Sequence, residues 1–339
     1  MGNSSLPEVS SQFTTIVMPA FNEELYIAAA INSLLQPQEP HDYELLVLDG
    51  GSSDRTPAIV QELAKLNPRI KLIHNTRRTQ SAAMNIAASI CDPRTTVLVR
   101  ADCHASYPPH FVSDCVATLR ETASSSVVVS MRAVGRSPLQ KIFAAAQNSR
   151  LGNGGSAHRR QSQSGYVDHG HHAAFDRQAF LSLGGYDETV QYNEDAEFDA
   201  RLVASGRRIY HDGRLLIDYY PRTSFPSLAR QYFRHGKGRA NTLLKHKMRP
   251  KLRQMLPVLV LLASVIALAA YPFIGSIALL IPAGYILVCM AWGAYLAAEC
   301  RQPSFLLIGP AAITMHMSWA AGFLSRFLRG NSNGLNHAK

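Results

Sequence analysis

The chain has 339 residues, enough for one large domain or two medium ones, and a net charge of +10 that is unevenly spread. From Tyr219 to Lys339 there are 14 Lys and Arg against one acid, Glu299, whereas Met1 to Asp218 carries 20 basic and 23 acidic residues. The basic cluster abuts an apolar stretch and no base-stacking motif accompanies it, which excludes a nucleic-acid partner in favour of anionic membrane lipids.

Residues 1–12 read as a polar tail. No signal-peptide apolar stretch precedes Phe13, and Leu6 stands where N-myristoylation wants Ser or Thr. Phe13–Met18 is a β-branched strand stopped by Pro19, and Glu23–Leu35 reads as a helix with acids in its first turn. Strands over Tyr43–Leu48, Ile70–His74 and Thr95–Val99 then alternate with helices over Thr56–Leu66, Gln80–Ile90 and near Pro109–Thr122. Ser126–Met131 is a fifth strand. This alternation predicts an α/β domain built on a parallel sheet flanked on both faces. Gly152–Gly165, rich in Gly, Ser and basic residues, reads as a loop. A short strand pair, a helix from Asn193, strands near Arg208–Tyr210 and Leu215–Tyr219, and a basic helix from Phe225 follow. Five cysteines without CxxC spacing suit reduced thiols in a cytosolic domain.

The apolar residues concentrate in the last third. Gln254–Ala298 holds 45 residues without a Lys, Arg, Asp or Glu, room for two spans of about 20 residues with a break at Tyr271–Gly275. Gln302–Ser325 is a third uncharged run, which its Pro303, Pro310, His316 and Ser318 leave open as a span or as a re-entrant or interfacial helix. Nine Lys and Arg between Arg230 and Arg253 precede these segments and mark their cytoplasmic side. The expected organisation is a catalytic domain over residues 13–224 and a basic interfacial region over 225–253. Two or three membrane segments follow within 254–328 (about 254–272, 274–298 and 304–325), then a tail over 329–339.

Several acids stand where a parallel sheet binds its ligands, at the carboxyl ends of strands. Asp49 ends an apolar strand before Gly50-Gly51-Ser52-Ser53-Asp54, where a carboxylate can accept a hydrogen bond from a base or sugar; Asp54 reads as a cap for the helix from Thr56. Asp102, after the fourth strand, can give Mg²⁺ or Mn²⁺ a hard oxygen ligand, His104 can add a nitrogen, and Arg100 can meet phosphate. Glu194-Asp195 opens a helix behind Asn193, a good N-cap, and follows the Gly184-Gly185-Tyr186-Asp187-Glu188 loop; a carboxylate fixed there can act as general base toward a hydroxyl. The helix macrodipole accounts for Glu197 and Asp199. Gln231 and Arg234 share a helix face, either as part of a basic interfacial helix or as a clamp on a diphosphate.

Taken in order, these segments resemble the family-2 glycosyltransferases. Pro19-Ala20-Phe21-Asn22-Glu23 resembles the family's nucleotide-contacting loop, and Asp49-Gly50-Gly51-Ser52-Ser53-Asp54-Arg55-Thr56 its Asp-Asp-Gly-Ser-x-Asp-x-Thr segment, with Gly50 for the second Asp. Asp102 matches the last acid of the Asp-x-Asp motif, with Arg100 for the first. Glu194-Asp195 matches the pair whose Asp is the base, and Gln231-Tyr232-Phe233-Arg234-His235 resembles Gln-x-x-Arg-Trp with His for Trp. The resemblance implies a GT-A-type domain followed by transmembrane helices in a bacterial inner membrane, with the catalytic domain cytoplasmic. It implies Asp195 as catalytic base and Pro19, Ala20, Glu23, Asp49, Arg100, Glu194, Gln231 and Arg234 as substrate contacts. Asp102 and His104 would be ligands of a divalent cation, Mg²⁺ or Mn²⁺. The implied reaction is inverting transfer from a UDP-sugar to a hydroxyl of a polyprenyl-diphosphate-linked acceptor. The Arg100–Pro108 run (Arg-Ala-Asp-x-His-Ala-x-Tyr-Pro) and His316-x-x-Trp319 further resemble glucosyltransferases of succinoglycan-like exopolysaccharide biosynthesis. That likeness implies glucose as the sugar and other exopolysaccharide-assembly enzymes as partners. The alternatives are a processive polysaccharide synthase of the same family and a nucleotide-sugar-binding scaffold without turnover.

Overall fold

The computed structural model describes residues 13–35, 42–154, 163–190 and 192–328. The expected tails, 1–12 and 329–339, and the middle of the expected Gly/Ser-rich loop, 155–162, lie outside the described residues. In chain order the elements are β1 (Phe13–Ala20), α1 (Ile27–Leu34), β2 (Tyr43–Asp49), α2 (Thr56–Leu66), β3 (Ile70–His74), α3 (Gln80–Ile90) and β4 (Thr95–Arg100). Then come β5 (Ala105–Ser106), α4 (Phe111–Glu121), β6 (Ser126–Ala133), α5 (Pro138–Asn148), α6 (Arg150–Asn153), β7 (Gly165–Val167), β8 (His171–Asp176) and α7 (Arg177–Ser182). The chain continues through α8 (Glu194–Ala204), β9 (Ile209–Tyr219), α9 (Phe225–Lys245), α10 (Leu252–Ile274), α11 (Leu280–Glu299) and α12 (Ile308–Leu328). Two units divide these elements. The first takes the described residues up to Met131, those up to Thr189 from 163, and Glu197–Asp218; the second takes the rest.

The first unit is a mixed sheet in the order β3-β2-β1-β4-β8-β6-β9-β5, with β7 on β9. Its first four strands are parallel, as the strand–helix alternation predicts, because each crossover passes through a helix. Beyond β4 the sheet turns antiparallel at β8 and again at β6. Alternate residues of β1 serve opposite faces: Ile16 and Met18 pack with Ile27, Ile31 and Val60, while Val17 packs with Ala83, Met84 and Phe198. Both faces are covered, so the parallel strands read as continuous apolar runs.

The strands expected near Arg208–Tyr210 and Leu215–Tyr219 are one continuous strand, β9, and β2, β4 and β6 run one or two residues past their expected ends. Two larger differences have local reasons. Strand β1 runs through Pro19 to Ala20, because its pairing with β4 ends at Val17 and Pro19 needs no donor on that side. Helix α1 starts at Ile27, not Glu23, and has no acid in its first turn. The Glu23 N–H donates to Thr56 Oγ1 (2.8 Å) and the Glu24 N–H to Asp54 Oδ2 (3.1 Å), which ties this segment to the loop after β2. Helix α5 is absent from the sequence-based expectation, although Ser137-Pro138-Leu139-Gln140 builds a full capping box with Pro in its first turn.

The second unit is helical. Ile142, Phe143 and Ala146 of α5 pack with Leu228 of α9 and with Ile308, Ala311 and Met315 of α12. Ala240 and Leu243 of α9 pack with Val258 of α10 and Ala320 and Phe323 of α12. Helices α9 and α12 touch backbone to backbone at two glycines. A Cβ on Gly236 would lie 1.9 Å from the Trp319 carbonyl oxygen, and one on Gly322 2.0 Å from that of Phe233. Two stretches of the described residues are long and apolar enough to cross a membrane, Leu252–Glu299 and Pro303–Phe327. The first comprises α10 and α11, joined at Gly275–Leu279 by a 3₁₀ turn. Large apolar side chains along both, among them Leu262, Val265, Phe273, Leu280 and Leu287, are exposed.

Candidate active site

In the first unit the carboxyl ends of β1, β2 and β4 form one edge, since Ala20 is in register with Asp49 and Val17 with Arg100. Pro19, Ala20, Glu23, Asp49, Arg100, Asp102 and His104 all belong to this edge or to the loops leaving it. Asp49 is 6% exposed, and its carboxylate accepts the N–H groups of Gly51 (3.0 Å) and Ser52 (3.1 Å) and the Ser52 hydroxyl. This closes a tight loop in which Gly51 takes φ +83°, a conformation that favours glycine. Asn22 seals the same loop: its N–H donates to Ser52 Oγ (2.8 Å) and its Oδ1 accepts from Ser53 N (2.8 Å). The N-cap position of α2 falls on Arg55, which makes no side-chain cap bond; Asp54, one residue earlier, accepts from Thr56 N (2.9 Å) and from Glu24 N.

Asp102 is held chiefly by its backbone. The Tyr107 hydroxyl accepts the Asp102 N–H and donates to the Asp102 carbonyl oxygen (3.1 Å). Tyr107 was not singled out in the sequence, although it lies five residues downstream in the same run. Around the Asp102 carboxylate the contacts are long: Gln80 Nε2 at 3.3 Å and Arg100 Nε at 3.5 Å to Oδ1, and His171 Nε2 at 3.5 Å to Oδ2. Burial pushes this carboxyl up, but the neighbouring Arg100, His171 and His104 outweigh it and hold the group below the usual carboxylate range. His104 turns to Glu23, with Nδ1 3.3 Å from Oε1. Among the described residues no group of three His, Cys, Asp or Glu side chains is placed to hold a metal. The donor set, one ionised carboxylate with only long contacts at a strand end, fits a divalent cation shared with a diphosphate; it does not fit one caged by protein alone.

Arg78 is another residue the sequence reading passed over. It has φ +58°, rare for a long side chain, and its guanidinium lies over Gly51, 3.5 Å from where a Cβ would stand.

The two acids assigned to the macrodipole have specific partners instead. Glu197 is fully buried and pairs with Arg201 Nη2 (2.7 Å); the same Nη2 also donates to the Gly185 carbonyl oxygen, and Nη1 donates to that of Leu183. Asp199 is 1% exposed and accepts from His172 Nε2 and His169 Nδ1, both at 2.7 Å. Burial raises its carboxyl, yet the His172 imidazole and the two hydrogen bonds bring it below the usual range. The Gly184–Glu188 loop is equally fixed: Asn85 Oδ1 accepts from Tyr186 N (2.8 Å), and its Nδ2 donates to Tyr186 O (2.8 Å) and Glu188 Oε1 (2.9 Å).

In the second unit Glu194 and Asp195 form the first turn of α8. Glu194 is buried; Asp195 is half-buried, and its Oδ1 accepts the Ala196 N–H (2.7 Å). Asn193 precedes them in the left-handed conformation (φ +60°), its amide donating to the His235 carbonyl oxygen (3.1 Å). Arg234 lies over the Tyr192 ring, 5.2 Å from its centroid. These contacts join the start of α8 to α9. Gln231 Nε2 donates to the Tyr219 hydroxyl (2.9 Å), while its Oε1 is buried and has no donor among the described residues.

Comparison with known proteins bears on both units. The family profile "Glycosyl transferase family 2" matches residues 15–184. The chain is 40% identical over 325 residues to the succinoglycan biosynthesis protein ExoA of Rhizobium meliloti (strain 1021), covering 96% of this chain and 98% of that one. It is 23% identical over 331 residues to a dolichyl N-acetyl-α-D-glucosaminyl phosphate 3-β-D-2,3-diacetamido-2,3-dideoxy-β-D-glucuronosyltransferase of Methanococcus voltae, covering 94% and 98%. The mannosyltransferase PcManGT from Pyrobaculum calidifontis, solved with GDP-Man and Mn²⁺, shares the fold with a TM-score of 0.58 at 20% identity, over 94% of this chain and 88% of that one.

Proposed function

This chain belongs to glycosyl transferase family 2, and on that premise we propose that it transfers glucose, with inversion, from UDP-glucose to a hydroxyl of a polyprenyl-diphosphate-linked sugar in exopolysaccharide assembly. The observation that carries this reading is the shared strand edge of the first unit, where a braced Asp49 loop and a lightly held Asp102 end parallel strands. The full-length likeness to a succinoglycan biosynthesis protein supports the acceptor class and a place beside other exopolysaccharide-assembly enzymes.

Asp49 and the loop containing Pro19, Ala20 and Glu23 take the uracil and ribose. Asp102, with a divalent cation as the Mn²⁺ in the PcManGT complex suggests, takes the diphosphate beside Arg100. A bound cation there supplies positive charge to the diphosphate oxygens as they gain electron density. Asp195 accepts the proton of the acceptor hydroxyl, and Glu194 lines the acceptor side. The hydroxyl oxygen forms its bond to the anomeric carbon from the face opposite the diphosphate. The old carbon–oxygen bond breaks with its electron pair leaving on UDP, so an α-linked donor gives a β-linked product. Gln231 and Arg234 stabilise the departing anion.

The protein sits in the bacterial inner membrane with its sheet domain in the cytoplasm. Helices α10 and α11, with 23 and 20 residues, reach about 35 and 30 Å and cross as a hairpin. Helix α12 packs along α9, whose Arg230, Arg234, Lys237 and Arg239 do not enter hydrocarbon, so α12 stays at the interface. Two crossings return the chain to the cytoplasmic side, where Arg326 accords with the distribution of positive charge.

A panel of radiolabelled sugar nucleotides offered to the purified protein with a membrane lipid extract tests the reading. Label is expected in the lipid fraction from UDP-glucose, dependent on Mg²⁺ or Mn²⁺, one residue per acceptor. Transfer from a different nucleotide alone, or long products, replaces the donor or the single-addition reading; no transfer with any donor overturns the enzyme reading.

A further inference from the structure

A continuous line of buried polar groups runs from the interior of the first unit to Asp102. Asp199 Oδ1 faces His172 Nε2 at 2.7 Å, His172 Nδ1 faces the Tyr186 hydroxyl at 2.6 Å, and Arg100 Nη1 reaches the same hydroxyl at 3.3 Å. Arg100 Nε then stands 3.5 Å from Asp102 Oδ1. His172 and Tyr186 are each 1% exposed, and the Arg100 side chain is 6% exposed. The proton order follows from what each group can donate. Arg100 has donors alone, so the Tyr186 oxygen accepts from it. The Tyr186 proton goes to His172 Nδ1, which leaves the imidazole proton on Nε2, aimed at Asp199. Every link is thus a donor facing an acceptor.

The first and last links are unequal. Asp199 holds its histidine at 2.7 Å, the separation of a strong charge-assisted bond, whereas Arg100 and Asp102, opposite charges two residues apart, stand at 3.5 Å. A guanidinium free to turn would close on that carboxylate to about 2.7–2.9 Å. At its far end the guanidinium is instead bonded to a hydroxyl that is itself locked by His172 and Asp199.

We infer that Tyr186, fixed by His172 and Asp199, is a positioning residue that restrains Arg100 from closing on Asp102 and so keeps the Asp102 carboxylate open to a divalent cation shared with a nucleoside diphosphate. This rests on the cation reading of Asp102 given above. It explains how an arginine can occupy the first position of an Arg-x-Asp motif without closing its guanidinium onto the acid beside it. The Tyr186 ring packs edge-on against Phe175, Phe180 and Phe198, so Tyr186→Phe removes one oxygen and leaves the aromatic packing in place.

The test uses the full chain in detergent, with Mn²⁺ titrated by electron paramagnetic resonance in the presence of UDP and with donor KM and kcat measured alongside. Tyr186→Phe is expected to weaken Mn²⁺ binding about tenfold and to raise donor KM, with kcat at saturating donor and cation little changed. The loss should vanish in an Arg100→Ala background, where the restrained group is gone, so that Arg100→Ala and the double variant bind Mn²⁺ alike. His172→Asn, which breaks the line one link further in, should reproduce the Tyr186→Phe loss and serves if that variant does not fold. Unchanged Mn²⁺ affinity in Tyr186→Phe overturns the inference. An equal loss with and without Arg100 overturns it too, since Tyr186 would then act by another route. Absence of Mn²⁺ binding in the unaltered protein with UDP instead removes the cation reading itself.

Discussion

The two units spend their charge in opposite ways. In the first, three acids are turned inward and paired: Asp199 has His172 and His169, Glu197 has Arg201, and Asp212 has Arg214 and Thr118. In the second, three acids, Glu194, Asp195 and Glu299, stand among nineteen Lys and Arg. Buried pairs of the first kind fix geometry, at the expense of desolvation that only good partners offset. An excess of the second kind cannot be satisfied within the unit, and so it points to an anionic surface or ligand. One unit locks buried acids into a polar scaffold; the other carries an excess of cations and keeps its acids at the start of α8 and the end of α11.

The sharpest way to break that contrast is at Asp195. Asp195→Asn keeps the shape and the acceptor oxygen for Ala196 N–H but removes the base. Transfer should fall about 10²–10⁴-fold, while UDP affinity, measured by calorimetry, stays within about threefold because Asp195 is assigned to the acceptor hydroxyl and not to the nucleotide. Near-normal turnover in this variant would falsify the base assignment. A smaller but still large effect is expected at Gly322. Gly322→Val would drive a side chain into the Phe233 backbone and part α9 from α12, at about 1–3 kcal/mol or more. Thermal unfolding in detergent should show the loss; an unchanged transition would mean the two helices do not pack through that contact.

The inward acids of the first unit make a pH prediction. Burial raises the Asp212 carboxyl, but hydrogen bonds from Arg214 and Thr118 overcome this and bring it down to about 2. A group with a depressed folded-state pKa stabilises above its unfolded value, near 3.9, and loses that contribution as pH falls toward the folded value. Stability should therefore decline between about pH 4 and pH 2, and Asp212→Asn should flatten the decline while removing roughly 1–2 kcal/mol at neutral pH. Chemical denaturation of both proteins at pH 7, 4 and 3 reads this. Parallel curves would show that the Asp212 pair contributes nothing to the acid limb.

Much of the first unit was legible because its signals are local. Apolar runs capped by Asp49-Gly50-Gly51 and Arg100-Ala101-Asp102 mark strand ends, and the helices over Thr56–Leu66 and Gln80–Ile90 keep their expected bounds. What the sequence did not disclose depends on contacts between distant segments. Glu197 and Asp199 look like ordinary first-turn acids until Arg201 and the histidines of β8 are brought against them. Tyr107 and Tyr186 look like core aromatics until their hydroxyls are seen to hold the Asp102 backbone and Arg100. Arg78 carries no pattern at all, only a left-handed backbone that appears once Gly51 lies beneath it. Helix α12 was ambiguous in sequence because hydropathy measures composition. Its close, glycine-lined packing on a basic helix is a property of the pair.

The outward cations of the second unit give the mildest effects, because they act singly and in water. Lys247 and Arg249 are exposed in the turn between α9 and α10, just ahead of the first apolar helix. Each should add about 1 kcal/mol of attraction to an anionic bilayer. Lys247→Gln and Arg249→Gln should each lower transfer to acceptor in anionic vesicles by roughly fivefold or less at low salt. Neither should alter UDP binding, and the difference should shrink as ionic strength rises and the Debye length falls below about 10 Å. Reconstitution into neutral lipid supplies the control, since the variants and the unaltered protein should then behave alike. A loss that persists in neutral lipid, or is indifferent to salt, would place these side chains on the acceptor itself, and the second unit's charge would be reading a ligand and not a surface.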